Sequence, residues 1–248
     1  MKTMQKDAIA IVLAAGKGIR MKSDLPKVFH PLAGKPMLEY VILTLKKLEV
    51  GGIYVVVGHK KELIIDYFKD WNIIFVEQKE QLGTGHAVMQ AEPHLKKFSG
   101  RVLVLAGDVP LLKVETLRHL MDFHIQHHSS ATVLTAELPD AGNYGRIIRN
   151  QAGLILKIVE KKDANPNELK IREINTGTFC FESKPLFSAL SEVKPENAQQ
   201  EYYLTDTIEI LKNQGLPVFA WLAPDYRETL GVNTQEELKE LESSLFKR

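Results

Sequence analysis

An α/β protein, with a mostly parallel sheet covered by helices on both faces, is the fold class the sequence predicts, and two observations predict it. Short apolar runs alternate with helix-period segments from residue 8 to about residue 128. The loops that follow three of those runs hold glycine together with charged or amide residues, which is how ligand-binding residues collect along one edge of an open parallel sheet when its crossovers are right-handed.

In order along the chain, Ala8–Leu13, Ile53–Val57, Ile73–Val76 and Val102–Ala106 read as buried strands. Met37–Leu48, Glu62–Phe68, His86–Leu95 and Glu115–His127 read as the helices between them. From about residue 129 the strands become two-period: Ala131–Ala136, Gly145–Arg149, Leu154–Glu160 and Glu173–Phe181. Asn143-Tyr144-Gly145-Arg146 reads as a turn and Asp163–Glu168 as a surface loop. The α/β pattern then returns with helix Tyr203–Asn213, strand Val218–Trp221 and a last helix after Gly231-Val232-Asn233 that runs through Leu245.

The loop after the first strand, Leu13-Ala14-Ala15-Gly16-Lys17-Gly18-Ile19-Arg20-Met21 continuing to Lys27, combines two glycines with several basic side chains. Gly16 and Gly18 lack a Cβ and admit φ > 0 and close backbone approach, while Arg20 and Lys27 bring positive charge. A polyphosphate suits that combination, although neither Gly-x-x-x-x-Gly-Lys-[Ser/Thr] nor Gly-x-Gly-x-x-Gly is present. The alternative is a strand-to-helix turn with a solvated basic rim.

After the third strand, Gln78 and Gly83-Thr84-Gly85 lead into a helix, so free backbone N–H groups could hold an anion or a base edge; equally, Thr84 could be an ordinary helix N-cap. After the fourth, Asp108 in Gly107-Asp108-Val109-Pro110 ends an apolar run, where metal ligation or capping of the next helix would each account for a carboxylate. Glu160 and Asn175 border apolar runs; either could be a surface position, and both could face a polar ligand such as a sugar. On the residues alone, Asn233 reads as an N-cap.

Composition limits the function classes. A chain of 248 residues, 44% hydrophobic, can bury a substantial core, and a net charge of +1 provides no global field for nucleic acid or a membrane surface. The one cysteine, Cys180, excludes an internal disulfide and a multi-cysteine metal site and reads as a core residue. His119, His124, His127 and His128 share one helix without the glutamate or third ligand of zinc hydrolases, so a solvated face is expected. Met1–Asp7 has no apolar signal region and no run approaches the ~18 apolar residues of a membrane span, so a cytoplasmic protein is expected.

Several segments then match together. They are Leu13 to Met21, Ser23-Asp24-Leu25-Pro26-Lys27-Val28, Gln81-Leu82-Gly83-Thr84-Gly85-His86-Ala87, Gly107 to Leu111, Tyr144 to Ile147, Ile158-Val159-Glu160, Asn175-Thr176-Gly177, Glu201 to Asp206 and Gly231-Val232-Asn233. Through them the chain resembles the N-terminal uridyltransferase domain of the bifunctional N-acetylglucosamine-1-phosphate uridyltransferase (GlmU) family. The resemblance implies a Rossmann-like nucleotidyltransferase fold of the nucleotide-diphospho-sugar transferase type over residues 1–248, with a nucleotide part of about 1–128 and a sugar part of about 129–248. It also implies an enzyme that joins UTP and N-acetylglucosamine 1-phosphate into UDP-N-acetylglucosamine and pyrophosphate, with Mg²⁺ as cofactor and no nucleic-acid or membrane partner.

By the same resemblance Arg20 and Lys27 are the catalytic cations. Leu13, Ala14, Ala15, Gly16, Gly18, Gln78, Gly83, Thr84 and Asp108 bind the nucleotide, with Gln78 reading the uracil edge. Gly145, Glu160, Asn175 and Asn233 lie on the sugar side, and Asp108 and Asn233 ligate the metal.

Two substitutions depart from the family pattern: Ile19 stands where Thr is usual, and Ala106 where Tyr is usual. A different sugar 1-phosphate, of glucose or N-acetylgalactosamine, is therefore an alternative, and a non-catalytic nucleotide-sugar binding module is another. The family's acetyltransferase repeats are not among these residues, which end in Phe246-Lys247-Arg248. The expectation is a monofunctional enzyme, as a monomer or an oligomer of another kind.

Overall fold

The computed structural model describes residues 7–246. Met1–Lys6 and Lys247–Arg248, on which the expectations for the chain ends partly rest, lie outside the described residues.

The first strand, β1 (Ala8–Ala14), is buried along almost its whole length because Ala8, Ala10 and Val12 enter one core while Ile9 and Ile11 enter another on the opposite face. A short hairpin, β2 (Pro31–Leu32) and β3 (Lys35–Pro36), leads into α1 (Met37–Leu48), whose buried Leu38, Val41, Ile42 and Leu45 repeat at helical spacing. Then come β4 (Ile53–Val57), α2 (Lys61–Phe68) and β5 (Ile74–Glu77). The single helix expected over His86–Leu95 is two, α3 (Thr84–Met89) and α4 (Glu92–Leu95). Pro93 explains the break, since it has no N–H to continue the α3 ladder but is tolerated in the first turn of α4.

After β6 (Arg101–Ala106) and α5 (Val114–Gln126) follow β7 (Ala131–Glu137), β8 (Arg146–Arg149), β9 (Ile155–Val159) and β10 (Glu173–Glu182). An unanticipated α6 (Ser183–Leu190) precedes α7 (Asp206–Asn213), β11 (Val218–Leu222) and α8 (Gln235–Phe246). Among the described residues no helix is long and apolar enough to cross a membrane.

The nine-stranded sheet has the order β11-β7-β10-β6-β1-β4-β5, with β8 and β9 added beside β10. β1 pairs in parallel with both β4 and β6, so the chain leaves β1 toward one side and later returns to the other. A crevice for a ligand opens at such a switch point, outside the strand C-termini. β10 runs antiparallel between β6 and β7, with a register shift between Asn175 and Thr178 where Gly177 has φ +76. The sheet is thus mixed and mostly parallel, as expected.

Cys180 is fully buried, as expected of a core residue, and Phe179 and Phe181 flank it on the other face of β10. The histidine expectation fails at His124, which is 1% exposed. Its Nδ1 lies 2.9 Å from Thr132 Oγ1 and its Nε2 3.4 Å from a Glu182 carboxylate oxygen, so a polar link stitches α5 to β7 and β10. His124 occupies the α5 face toward the sheet, a position that i,i+4 spacing among the histidines alone does not reveal.

Candidate active site

The strap from Ala15 to Pro36 leaves the C-terminal end of β1 and carries the two predicted cations. Of the two loop glycines, Gly18 alone has positive φ (+60); Gly16 is exposed, with open space where a Cβ would be. A Cβ on Gly18 would stand 2.5 Å from Lys27 Cβ, so the 3₁₀ turn Ile19–Met21 packs directly on the base of Lys27. Met21 is fully buried and anchors that turn, while Ile19 and Arg20 point outward.

Four predicted residues converge here. The Lys27 ammonium contacts a carboxylate oxygen of Asp108 and donates to Asn233 Oδ1 at 2.7 Å. An Arg20 guanidinium N–H donates to the same Asn233 oxygen at 2.9 Å. Asp108 lies just past β6, with Gly107 N–H donating to Leu13 O at 3.0 Å, so the ends of β1 and β6 are held together. The capping alternatives fall away: α5 begins at Val114 after Lys113, well beyond Asp108, and α8 is capped by Thr234, whose hydroxyl accepts the Glu237 N–H at 3.2 Å. Asn233 is therefore no helix cap.

The donor set fits a hard divalent ion. A carboxylate and an amide oxygen already share one cation, the Lys27 ammonium, and oxygen ligands of this type are what Mg²⁺ takes. Among the described residues no cluster of three or more His, Cys, Asp and Glu suited to a metal exists, so an ion held by Asp108 and Asn233 would need further oxygen ligands from outside the protein side chains.

The loop after β5 adjoins the strap: a Cβ on Gly58 would meet Ala15 O at 3.0 Å and Gln81 Nε2 at 2.8 Å. Gln78 is buried, and its Nε2 donates to Gly83 O at 3.1 Å and lies 3.0 Å from His86 Nδ1. Its amide is thereby held between the loop carbonyl of Gly83 and the imidazole of His86 on α3. Thr84 begins α3 but does not cap it; its hydroxyl oxygen accepts the Leu204 N–H at 3.0 Å, tying the loop to the segment before α7.

Gly83 has φ +114, and a Cβ there would lie 2.5 Å from Tyr202 O, a backbone atom that cannot swing aside. Gly83→Ala is therefore expected to lose about 2–4 kcal/mol of stability and to raise the KM for a nucleotide several-fold. Urea unfolding and initial-rate kinetics check this; an unchanged midpoint together with an unchanged KM refutes it.

The third group lies across the cleft. Asn175 N–H donates to Gly145 O at 2.9 Å, and a Cβ on Gly145 would sit 3.3 Å from both carboxylate oxygens of Glu160. Glu160 accepts from Thr205 Oγ1 at 3.3 Å, and burial pushes its carboxyl pKa up. Arg146 is buried and structural: its guanidinium donates to the carbonyls of Ala141, Gly142 and Tyr144 and so shapes the turn that carries Gly145. Ala106 faces the Gly177 turn, where a Cβ on Gly177 would be 3.6 Å from Ala106 Cβ.

Glu160 shares a cleft of about 460 Å³ with Asp163, Tyr203 and Asp206. Burial, with Glu209 and Asp163 nearby, raises the Asp206 pKa to about 6. An acid whose folded pKa is raised favours folding below its unfolded value of about 3.9, and that contribution is lost as pH climbs to about 6. Asp206→Asn is expected to stabilise the protein by about 1 kcal/mol more at pH 8 than at pH 4, a figure discounted for partial exposure and for the favourable helix N-terminus. Thermal melts at both values test it, and an equal shift at each refutes it.

Some residues around the site are not visible as such in the sequence. The Tyr144 hydroxyl accepts the Gly231 N–H at 2.9 Å, linking the sugar-side turn to the segment bearing Asn233, and burial raises its pKa. The Glu201–Asp206 stretch clasps the Gly83 loop, with Gly85 N–H donating to Tyr202 O at 2.7 Å. The signal for both was present only as matched segments with no assigned role.

Comparisons with known proteins bear on the whole arrangement. Residues 10–205 match the family model described as MobA-like NTP transferase domain. The chain is 51% identical over 239 residues to "Bifunctional protein GlmU" of Streptococcus gordonii, covering 96% of this chain and 52% of that protein. It is 50% identical over 239 residues, with the same coverage, to the protein of that name from Brevibacillus brevis. The chain thus spans about half the length of the curated relatives it matches. A solved structure described as UDP-glucose pyrophosphorylase complexed with UDP-glucose superposes with a TM-score of 0.76 over 97% of this chain and 98% of that one, at 20% identity, a likeness of fold.

Proposed function

This chain belongs to the MobA-like NTP transferase domain family, and from that premise we propose that it is a Mg²⁺-dependent uridyltransferase making UDP-N-acetylglucosamine and pyrophosphate from UTP and N-acetylglucosamine 1-phosphate. The observation that carries the reading is the convergence of Arg20, Lys27, Asp108 and Asn233 at the switch point of the sheet. About half-identical relatives named for GlmU support the choice of substrates.

In this reaction a phosphate oxygen of the sugar 1-phosphate forms a bond to the α-phosphorus while the bond to the β-phosphate bridging oxygen breaks, and pyrophosphate leaves with the electron pair. The protein has no covalent step to perform, so positioning and charge neutralisation are its work. Lys27 and Arg20 would neutralise the negative charge that grows on the departing pyrophosphate. Asp108 and Asn233 would hold the metal, which supplies charge neutralisation at phosphate oxygens.

Gln78, with its NH₂ tied to Gly83 O, keeps its amide oxygen as an acceptor for a pyrimidine N–H. Leu13, Ala14, Ala15, Gly16 and Gly18, with Gly83 and Thr84, would line the rest of the nucleotide. Gly145, Glu160 and Asn175 would receive the sugar, and residues of about 1–128 and 129–248 would serve nucleotide and sugar respectively. A cytoplasmic location follows from the substrates.

A second reading has one specific observation in its favour. Ala106 is small and stands beside Gly177, which leaves room for a differently substituted sugar 1-phosphate. One experiment decides between them: UTP and Mg²⁺ with the 1-phosphates of N-acetylglucosamine, glucose and N-acetylgalactosamine, following pyrophosphate release. Release with N-acetylglucosamine 1-phosphate alone supports the main reading; release with another sugar alone moves the substrate. No release with any, while UTP binds, favours a binding module.

A further inference from the structure

Two side chains of α8 support the segments that bear the residues proposed to do the chemistry, one bonding to the Arg20 turn of the strap and the other to Asn233. The Gln235 side-chain N–H donates to Met21 O at 2.9 Å, at the end of the turn that carries Arg20. A Glu237 carboxylate oxygen accepts the backbone N–H of Asn233 at 2.5 Å. We propose that Gln235 and Glu237 are positioning residues of the phosphate and metal site, Glu237 acting through Asn233 and Gln235 through the Arg20 turn.

Helix capping alone does not account for this arrangement. Thr234, Gln235, Glu236 and Glu237 form the pattern of a capping box, in which the fourth residue's carboxylate normally accepts the N–H of the cap residue itself. Here Thr234 performs its half of the box, accepting the Glu237 N–H, and Leu238 N–H donates to Thr234 O at 3.1 Å as the first helical bond. The Glu237 carboxylate reaches one residue further back, to Asn233. That residue's side-chain oxygen receives both Arg20 and Lys27, so the backbone bond fixes the place where the two cations meet.

The helix is a firm base for such a role. Leu238, Leu241 and Leu245 pack against Leu32, Met37 and Val232, and Glu242 accepts the Ala33 N–H at 2.8 Å. The strap is thus braced at Met21, Leu32 and Ala33 from one helix, and Gln235 and Glu237, two positions apart, serve different targets, the Arg20 turn and Asn233.

The inference rests on the uridyltransferase reading, and its test separates the two. Calorimetric titration of UTP into the full chain, with Mg²⁺ and with EDTA, would be run on the native protein, Glu237→Ala, Glu237→Gln and Gln235→Glu, with thermal melts and the metal dependence of pyrophosphate release measured alongside. Residues that orient a metal ligand without touching the metal typically matter by about 10-fold or more in metal affinity or activity. Glu237→Ala is therefore expected to need about 10-fold more Mg²⁺ for half-maximal rate and to lose a like part of the Mg²⁺-dependent gain in UTP binding.

Glu237→Gln, which keeps an acceptor oxygen, should restore most of both. Gln235→Glu removes the donor to Met21 O and should lower kcat about 10-fold with the metal requirement unchanged. A Glu237→Ala protein with native metal dependence, or one whose loss follows its melting temperature and is not restored by Gln, overturns the inference. Absence of Mg²⁺-dependent UTP binding in the native protein overturns the uridyltransferase reading and the inference with it.

Discussion

Asp108→Ala is expected to reduce pyrophosphate release by at least ~10³-fold, about 4 kcal/mol of transition-state stabilisation, while the protein stays folded. The loop does not depend on the side chain for its shape. Asp108 O accepts the Val232 N–H at 3.0 Å, and Gly107 N–H holds the end of β1 at 3.0 Å, so both anchors survive truncation. What disappears is the carboxylate that contacts Lys27 and the charged half of the oxygen pair that would hold Mg²⁺.

Asp108→Asn keeps an oxygen but not the charge and should fall between the native protein and the alanine variant. UTP binding in EDTA should not weaken in either, because removing a carboxylate from beside a triphosphate relieves repulsion. Steady-state pyrophosphate release and calorimetric UTP binding make the comparison. A residual rate above about one tenth of native would remove Asp108 from the mechanism.

How far the sequence carries can be judged from particular elements. Helix Met37–Leu48 and strand Ile53–Val57 agree with expectation to the residue, since each has a clean period and is bounded by residues that leave it. The helix Ser183–Leu190 is unanticipated; its third residue, Pro185, lies in the first turn, where no backbone N–H is needed for the helical ladder. The three loops of the site are legible from composition. Their assembly is not: Asn233 meets Lys27 across 206 positions of chain, and only the strand order and the packing of α8 bring them together. Local chemistry favoured a cap at Asn233, and the cap lies one residue later at Thr234, because a polar run before a helix offers several equivalent candidates.

The Lys27 ammonium and a divalent ion call for the same two oxygens, and that shared demand gives Lys27→Ala an uncommon signature. Its maximal rate should fall ~10²–10³-fold, about 3–4 kcal/mol, because a fixed positive charge is lost where charge would develop on the leaving pyrophosphate. The KM for UTP should stay within about threefold, since Arg20, which donates to the same Asn233 oxygen, would still offer a cation to the triphosphate. At the same time the Mg²⁺ concentration for half-maximal rate should drop, for Asp108 and Asn233 no longer have an ammonium to release. Lys27→Arg should not recover the rate: a planar fork cannot replace a compact point charge packed at its base against Gly18. Combining Lys27→Ala with Arg20→Ala should cost less than the sum of the two, because both cations act on the one Asn233 oxygen. Kinetics over a Mg²⁺ titration read all of these together. A Lys27→Ala enzyme with native kcat and a raised KM would make Lys27 a binder of ground-state UTP, and an unchanged metal requirement would mean that the ammonium and the ion never contend for the same oxygens.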